Sequence, residues 1–444
     1  MKSSRRSFLK RASVLSAAPF LLPSRIWSAE TQPNDRLVMG FIGVGKQGRY
    51  LLSSFLSRKA CRVVAVCDVD TTRRDSAQQM VNDYYTQHPD AGSPDCAAFN
   101  DFRDLLARED INAVCIATPD HWHTIPAIAA LESGKDVYCE KPLTHNIHEA
   151  VALMNAVEAN RRVLQTGSMQ RSMKEFRVAC ELVRNGVAGE ISRVECSFGP
   201  PGVPCDLPEE EMEPGLDWDL WLGPAPVRPY NSILSPRGVH DHFPDWRNYR
   251  EYGGGMVTDW GAHHLDIAQW GLDMDESGPV EVRPSEDPAA VDGGVLQYAN
   301  GVQVIHMKGF GAHFYGSDGE VKVNRGKIEL VLHGEKVAGF VDRDSGGSLE
   351  STLQQLENEY LSDAKVRLYQ SYDHIQDFLD CVKSRRKPIT SEVVGGRSAI
   401  CCHLLNQAYY NHATIKWQPE RMQFAPGGGD PAWLTRDYRA PWSV

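Results

Sequence analysis

The feature that most constrains the fold is a glycine-rich turn between a short apolar run and a stretch of helical spacing. Val38–Ile42 is apolar, and Gly43-Val44-Gly45-Lys46-Gln47-Gly48 follows it directly. In a strand–turn–helix, Gly43 permits the tight turn, Gly45 lets the backbone approach a pyrophosphate, and Gly48 allows the helix to pack closely on the strand. The turn therefore predicts a βαβ unit that binds a dinucleotide at the helix N-terminus.

Asp68 indicates which dinucleotide binds. It follows the second apolar run, Val63–Cys67, and lies about 20 residues after Gly48, where an acid accepts hydrogen bonds from the ribose hydroxyls and repels a 2′-phosphate. This position favours NAD. Arg73 and Arg74 lie just downstream and could hold a 2′-phosphate, so NADP stays open as the alternative cofactor.

The rest of the chain falls into two patterns. From Arg36 to about Gly167, apolar runs alternate with helical stretches, as in a parallel sheet covered on both faces. The third run ends at Thr118-Pro119, so these residues and His123 are expected beside the cofactor. After Arg171 the runs are shorter and parted by turn residues, as in antiparallel sheets. We expect an α/β protein: an N-terminal Rossmann domain, then a C-terminal α/β domain with a large open, mostly antiparallel sheet.

The first 29 residues are expected to be an export signal. They contain six Lys or Arg residues and no acid, and Ser4-Arg5-Arg6-Ser7-Phe8-Leu9-Lys10 is a twin-arginine pattern. The apolar stretch Ala12–Leu22 is about half of the ~20 residues that a membrane span needs. The twin-arginine machinery moves folded proteins, so the sequence predicts a periplasmic or other extracytoplasmic protein that carries a tightly bound cofactor.

Charge and cysteine content exclude several classes of partner. The net charge is −11, and removal of a basic signal leaves the mature surface more acidic still, which repels nucleic acid. The 11 cysteines are scattered, which indicates neither a disulfide framework nor a zinc site. His240-Asp241-His242 has the spacing of metal ligands, but no second cluster completes a site, so no metal is expected.

Three residues carry the expected chemistry. Oxidation of a secondary alcohol needs a base for the hydroxyl proton. Lys141 ends a strand before Pro142, and a lysine in a partly dry cleft can exchange a proton with a substrate oxygen. Asp259 and His263 lie four residues apart in a predicted helix, where the carboxylate would orient the imidazole and raise its basicity. Asp266 is either a partner of that histidine or a surface charge.

Several motifs together resemble the glucose–fructose oxidoreductase / inositol dehydrogenase (Gfo/Idh/MocA) family, over roughly Leu37 to Phe424. They are Gly43-Val44-Gly45, Thr118-Pro119 to His123, Glu140-Lys141-Pro142, Gly253-Gly254-Gly255, Asp259-Trp260-Gly261-Ala262-His263-His264-Leu265-Asp266, Phe378-Leu379-Asp380-Cys381-Val382 and Ile415-Lys416-Trp417. The resemblance implies that Glu140 belongs to the cofactor site and that Lys141, Asp259 and His263 are catalytic. It also implies a sugar or polyol substrate and a homo-oligomer built through the open sheet.

These observations predict a signal in residues 1–29, a Rossmann domain in 36–169, a substrate and oligomerisation domain in 170–424 and a loose tail in 425–444. The leading hypothesis is an exported NAD(P)-dependent oxidoreductase acting on a secondary hydroxyl or keto group of a sugar or polyol. Two alternatives remain. One is a redox-neutral glycoside-cleaving enzyme that uses tightly bound NAD through a keto-sugar intermediate, and the other is a non-catalytic sugar-binding protein.

Overall fold

The computed structural model describes residues 36–444, so the predicted export signal lies outside the described residues. The N-terminal part of the described chain forms a six-stranded parallel sheet, with the strands in the order β3-β2-β1-β4-β5-β6. Its strands are β1 (Leu37–Ile42), β2 (Cys61–Cys67), β3 (Ala97–Phe99), β4 (Ala113–Ile116), β5 (Asp136–Cys139) and β6 (Leu164–Thr166). None of the helices within residues 36–444 is long and apolar enough to cross a membrane.

Helices cover both faces of this sheet because its strands are apolar on both sides. They are α1 (Lys46–Leu56), α2 (Thr71–Gln87), α3 (Phe102–Leu106), α4 (Thr124–Glu132) and α5 (Ile147–Asn160). The strand order reverses between β1 and β4, whose carboxyl ends border the crevice in which such sheets bind ligands. The predicted Rossmann domain is therefore confirmed. The short elements β3 and α3 had no periodic signal to reveal them.

The second sheet has ten strands, in the order β14-β13-β12-β11-β7-β10-β9-β8-β15-β16. They are β7 (Ile191–Ser197), β8 (Glu281–Arg283), β9 (Val295–Gln297), β10 (Gln303–Met307), β11 (Ala312–Gly316), β12 (Gly319–Asn324), β13 (Lys327–Leu332), β14 (Glu335–Phe340), β15 (Ile415–Gln418) and β16 (Gln423–Phe424). β7 and β10 pair in parallel and their neighbours pair antiparallel. This confirms the expected large, mostly antiparallel sheet.

Within residues 36–444, seven helices follow the first sheet along the chain: α6 (Lys174–Arg184), α7 (Trp218–Leu222), α8 (Met256–Asp259), α9 (Gly261–Gly271), α10 (Leu349–Tyr360), α11 (His374–Ser384) and α12 (Glu392–Asn411). Helices α6, α9 and α12 contact the sheet on its buried face. Apolar side chains such as Val194, Phe314 and Val321 alternate there with polar ones on the opposite face, as expected for a sheet with one covered face.

The chain returns to the first domain late in the sequence. Phe378 of α11 packs edge-on against Tyr138 of β5, with 5.8 Å between ring centroids, and the Thr166 amide donates to the Thr390 carbonyl at 2.8 Å. The expected domain boundary at residue 170 assigns α11 to the second domain, whereas α11 packs in the core of the first domain. An amphipathic pattern shows that a helix is buried, but it does not show which sheet the helix covers.

The C-terminal residues are docked rather than loose. Arg436 donates to the Glu149 carboxylate at 2.9 Å and to the His121 carbonyl at 2.7 Å. Trp442 packs edge-on against Trp122, with 4.7 Å between ring centroids. These contacts hold residues 431–444, which we call the tail, against the Rossmann domain. Residues 431–444 have no helical or strand periodicity, so the sequence pattern did not indicate these contacts.

Asp266 lies in a buried ion pair, so neither expected role is correct. Arg171 donates to both oxygens of its carboxylate at 2.8 Å, and Ser398 donates to it at 2.8 Å. The side chains of Arg171 and Asp266 are only 2% and 1% exposed. Asp275 also accepts from Arg171, at 2.6 Å. The pair ties the chain after β6 to α9.

We predict that Asp266→Ala lowers the free energy of unfolding by about 3–5 kcal/mol, because it leaves the Arg171 guanidinium short of a partner in the core. The matched control is Asp95→Ala, whose carboxylate forms a surface pair with Arg62 at 3.4 Å and should matter by less than about 1 kcal/mol. Urea denaturation of both variants measures the difference. Equal losses would contradict the role given to the buried pair.

Candidate functional site

A cavity of about 730 Å³ runs along the carboxyl edge of the first sheet and continues between the two domains. Its volume is typical of small-molecule and cofactor sites. It is covered by residues 199–255, which we call the roof. The cavity brings together nearly all of the predicted site residues: Gly43, Gly45, Asp68, Thr118, Pro119, His123, Glu140, Lys141, Asp259 and His263.

The glycine-rich turn has the predicted form. Gly43 has φ +84°, and a Cβ on it would lie 2.6 Å from the Thr118 nitrogen, so a side chain does not fit. A Cβ on Gly48 would lie 2.1 Å from the Gly43 oxygen, which explains the close packing of α1 on β1. Gly45 is the N-cap residue of α1, and no side chain accepts a hydrogen bond from the first N–H groups of the helix at this position. The first N–H groups of α1 are therefore available to phosphate oxygens.

Asp68 both holds this turn and faces the cavity. Its carboxylate accepts hydrogen bonds from the Val44 amide at 2.8 Å and the Asp70 amide at 3.0 Å. Burial raises the pKa of Asp68, although the Arg73 guanidinium and the two amides oppose the shift. A carboxylate has about four acceptor positions, so acceptor capacity remains for the two hydroxyls of a ribose.

The two arginines that kept NADP open are already engaged. Arg73 donates to the Gly238 carbonyl at 3.1 Å and to the Ser235 hydroxyl at 3.2 Å. Arg74 donates to the Asn100 side chain at 3.1 Å. Neither guanidinium is left as a free fork for a 2′-phosphate, so the arrangement favours NAD over NADP.

The middle of the cavity is built by the ends of β4 and β5. His123 ties them together, because its ring nitrogens lie 2.7 Å from the Pro142 carbonyl and 2.9 Å from the Thr118 carbonyl, and burial lowers its pKa to about 4. Glu140 accepts from the Gln47 amide at 2.9 Å. The Thr118 hydroxyl is buried with no hydrogen-bond partner in residues 36–444, which fits a polar ligand in the cavity.

Lys141 and Asp259 form an ion pair across the domain boundary. The Lys141 ammonium donates to the Asp259 carboxylate and, at 3.1 Å, to the Asp259 carbonyl. The Arg247 Nε lies 3.8 Å from the same carboxylate. Burial alone would raise the pKa of Asp259, but Lys141 and Arg247 together hold it below its usual range. The carboxylate is therefore charged and fixes the lysine in the cavity.

The expected pairing of Asp259 with His263 is wrong. α8 ends at Asp259 and α9 begins at Gly261, so the two residues do not share one continuous helix, and the carboxylate turns to Lys141. His263 Nδ1 is buried without a hydrogen-bond partner among the described residues. Burial, with Lys141 and Arg325 nearby, lowers the pKa of His263 well below its usual range. The imidazole is therefore neutral, and its basicity is not raised.

Two charged residues of the site had no sequence signal of their own. Arg325 lies in the hairpin turn between β12 and β13 and lines the cavity beside His263. Asp120 lines the cavity from the Rossmann side, and burial raises its pKa well above the usual range despite Arg247 and Lys141. A turn arginine and an acid after a strand are both common in sequences, so only the fold reveals that they meet.

The roof is a packed segment of the structure. It has its own apolar core, formed by Leu216, Trp218, Trp221, Leu222, Ala225, Tyr230, Leu234, Trp246 and Tyr252. Arg49 of α1 donates to the His240 carbonyl at 2.6 Å, and Asn100 donates to Asp217 at 3.0 Å. From the tail, Arg439 donates to the Gly223 carbonyl at 2.7 Å. The roof is thus bonded to the Rossmann domain on one side and to the tail on the other.

The His240-Asp241-His242 segment serves this closure. Besides the bond from Arg49, the Lys46 ammonium donates to the Asp241 carbonyl. Within residues 36–444, no group of three or more His, Cys, Asp or Glu side chains is placed to hold a metal ion. The segment therefore anchors the roof on the first turn of α1.

Comparison with known proteins agrees with this architecture. A family model described as an oxidoreductase family with an NAD-binding Rossmann fold matches residues 37–168, and its companion, the C-terminal alpha/beta domain of that family, matches residues 202–444. The first domain is accordingly an NAD-binding Rossmann domain. An aldose-aldose oxidoreductase from Caulobacter crescentus, solved with glycerol, has a similar fold, with a TM-score of 0.54 at 18% identity over 86% of this chain and 99% of its own.

Curated relatives match over shorter segments. A glycosyl hydrolase family 109 protein of Shewanella pealeana is 29% identical over 218 residues, which is 45% of this chain and 46% of the relative. An inositol 2-dehydrogenase of Rhodococcus jostii is 31% identical over 175 residues, or 38% of this chain and 44% of the relative. The chain thus matches about half the length of these relatives, whose names describe two different net reactions.

We predict that Asp68→Ala weakens NAD binding about 10- to 100-fold, the usual worth of hydrogen bonds to a charged group. Asp68→Asn should recover part of this loss, since an amide oxygen can still accept from Val44. Asp75→Ala is the control, because its exposed carboxylate lies outside the cavity beside Arg74. Titration of cofactor-free protein with NAD measures each affinity. Unchanged affinity in Asp68→Ala would show that the cofactor site is misassigned.

Proposed function

Because the chain belongs to the Gfo/Idh/MocA oxidoreductase family, we propose that it is an exported NAD-dependent oxidoreductase acting on a secondary hydroxyl or keto group of a sugar or polyol. The observation that carries the proposal is the meeting of Lys141, Asp259 and His263 in the cavity that also contains the NAD-binding turn. Groups able to move the hydroxyl proton then face the same space as the cofactor site.

The charged Lys141 and the neutral His263 have different roles in the proposed reaction. When bound, the nicotinamide supplies the acceptor or donor of a hydride. Lys141, fixed by Asp259, donates a hydrogen bond to the substrate oxygen and stabilises negative charge on it as the hydroxyl proton leaves. The neutral His263 accepts that proton, since an imidazole without a proton on one nitrogen can act as a base. In the reverse direction the same two residues protonate the carbonyl oxygen.

We predict that His263→Ala and Lys141→Met each lower kcat by about 10²–10⁴, the usual worth of a general acid or base. Bound NAD should be unchanged in both variants, because neither residue lies at the glycine turn. Lys327→Ala is the matched control, since this exposed lysine ends the same hairpin as Arg325 outside the cavity. Steady-state kinetics with a panel of sugars and polyols is the measurement. Full activity in either cavity variant would contradict the assigned roles.

A second candidate function is redox-neutral cleavage of a glycoside, and the closed cofactor cavity favours it. The roof is bonded to α1 through His240 and Asp241 and to the tail through Arg439. An exported enzyme has no cytoplasmic NAD pool, so a retained cofactor must be regenerated within each cycle. Oxidation at one carbon acidifies the hydrogen on its neighbour, elimination expels the alcohol, and water and the hydride are then returned. The net change is hydrolysis.

We predict that the purified protein, desalted and given no NAD, releases aglycone from a suitable aryl glycoside over many turnovers. The absorbance at 340 nm, which reports reduced nicotinamide, should show no net change. Retention of this kind needs about 12 kcal/mol, a nanomolar dissociation constant. Arg439→Ala, which frees the roof from the tail, should shed cofactor on desalting and recover activity when NAD is added.

The same assay separates the two candidates. Stoichiometric rise of absorbance at 340 nm with one keto sugar formed per NAD indicates net oxidation. A preparation that holds no cofactor and works only with added NAD would contradict retention. The oxidoreductase proposal would then be tested by the steady-state kinetics with the panel of sugars and polyols alone.

A further inference from the structure

Among residues 36–444, Arg325 at the mouth of the cavity forms no ion pair with an acid. Its guanidinium lies over the Trp260 ring, with 4.7 Å from Cζ to the ring centroid, and the Trp260 ring lies 5.8 Å from that of His263. Within the described part of the chain, no carboxylate comes within 4.0 Å of its nitrogens. Stacking on an aromatic face holds the guanidinium in place without using the N–H donors of its two Nη groups.

The other arginines that line the cavity already form hydrogen bonds or ion pairs with protein groups. Arg73 is bonded to Ser235 and Gly238 of the roof. Arg247 donates to the Pro244 carbonyl at 2.6 Å and lies beside the Asp259 carboxylate. With the Gln170 amide oriented so that its oxygen faces donors, that oxygen accepts from the Arg325 Nε at 3.2 Å. The two Nη groups of Arg325 make no hydrogen bond to the described residues and are left for a ligand.

Three cationic side chains converge at this end of the cavity. Lys141, Arg247 and Arg325 surround one ionised carboxylate, that of Asp259. The other acids that line this end are Asp120 and Glu140, and burial raises the pKa of both. The phosphate-binding turn lies on α1, in the other domain. An anionic group on the substrate would meet the Arg325 donors, which no carboxylate of the described residues occupies.

We infer that the substrate is a sugar or polyol that carries an acidic group, a carboxylate or a sulfate ester, and that Arg325 binds this group. The planar fork of an arginine matches two oxygens of either anion. Trp260 is 38% exposed, so its ring also offers an apolar face to the adjoining sugar carbons. The inference rests on the proposed function and names the substrate class of the same site.

The test compares matched substrates that differ only in the acidic group. D-glucuronate and D-glucose, D-galacturonate and D-galactose, and the 6-sulfates of both sugars are supplied to the NAD-loaded protein, and kcat/KM and equilibrium binding by tryptophan fluorescence are measured. We expect at least one anion to bind about 10- to 100-fold more tightly than its neutral parent, and less so as salt rises. Carboxylate and sulfate arms identify which anion the site takes.

Variants then locate the preference. Arg325→Leu should abolish the preference, so that an acid and its neutral parent bind with similar affinity, and Arg325→Lys should keep a part of the preference because the charge remains. The matched control is Arg193→Leu, since Arg193 stacks on Tyr315 at 4.0 Å in the same sheet but outside the cavity, and it should retain the full preference.

The outcomes separate the inference from the function on which it rests. Equal use of acid and neutral sugar, or an acid preference that survives Arg325→Leu, overturns the inference and leaves the oxidoreductase proposal intact. Binding of acids through Arg325 without turnover of any substrate supports the inference and counts against the proposed reaction. Failure of every anion to bind overturns the inference.

Discussion

Lys141 and Asp259 reach across the boundary between the two domains and meet inside the cavity. Lys141 follows the last residues of β5, and Asp259 ends the short helix α8 of the second domain. Each side chain is only 16% exposed, so the pair is shielded from solvent and breaking it would leave a charge in a poorly solvated place. Because the pair fixes the lysine, it fixes the relation between the cofactor turn of one domain and the His263 helix of the other.

Closure of the cavity follows from contacts made at a distance in the sequence. The roof, residues 199–255, packs around its own aromatic core and bonds to α1, while the tail bonds to the roof and to Glu149 of α5. A ligand within the cavity is thus enclosed by three parts of one chain. This enclosure connects the fold to the proposal that NAD travels with the protein and is regenerated in place.

The sequence predicted the fold class and the cofactor turn because both depend on local patterns. A glycine-rich turn after an apolar strand and an acid after the next strand specify a Rossmann site almost by themselves, and the structure places Gly43, Asp68 and Thr118 around one cavity. Side-chain partners were harder to predict. The spacing of Asp259 and His263 suggested a pair, but the helix breaks between them and the carboxylate bonds to Lys141 instead.

Long-range packing was beyond the sequence for the same reason. In the sequence, the aromatic residues of the roof cannot be distinguished from aromatic residues of any hydrophobic core. The docking of the tail depends on Glu149, which lies far upstream, and Arg325 occupies an ordinary hairpin turn. Each becomes a site element only when distant segments fold together. Local periodicity carries no information about which distant segments will meet.

The central claim is that the substrate carbon and the nicotinamide ring share the cavity in which Lys141 and His263 lie. Isotope transfer tests it most directly. The NAD-loaded protein is mixed with an accepted sugar or uronate deuterated at each ring carbon in turn, and the nicotinamide released on denaturation is analysed by mass spectrometry. The account predicts deuterium on the nicotinamide from one ring position in the wild type, and far slower labelling in His263→Ala. Turnover without any transfer of deuterium to the nicotinamide would contradict it.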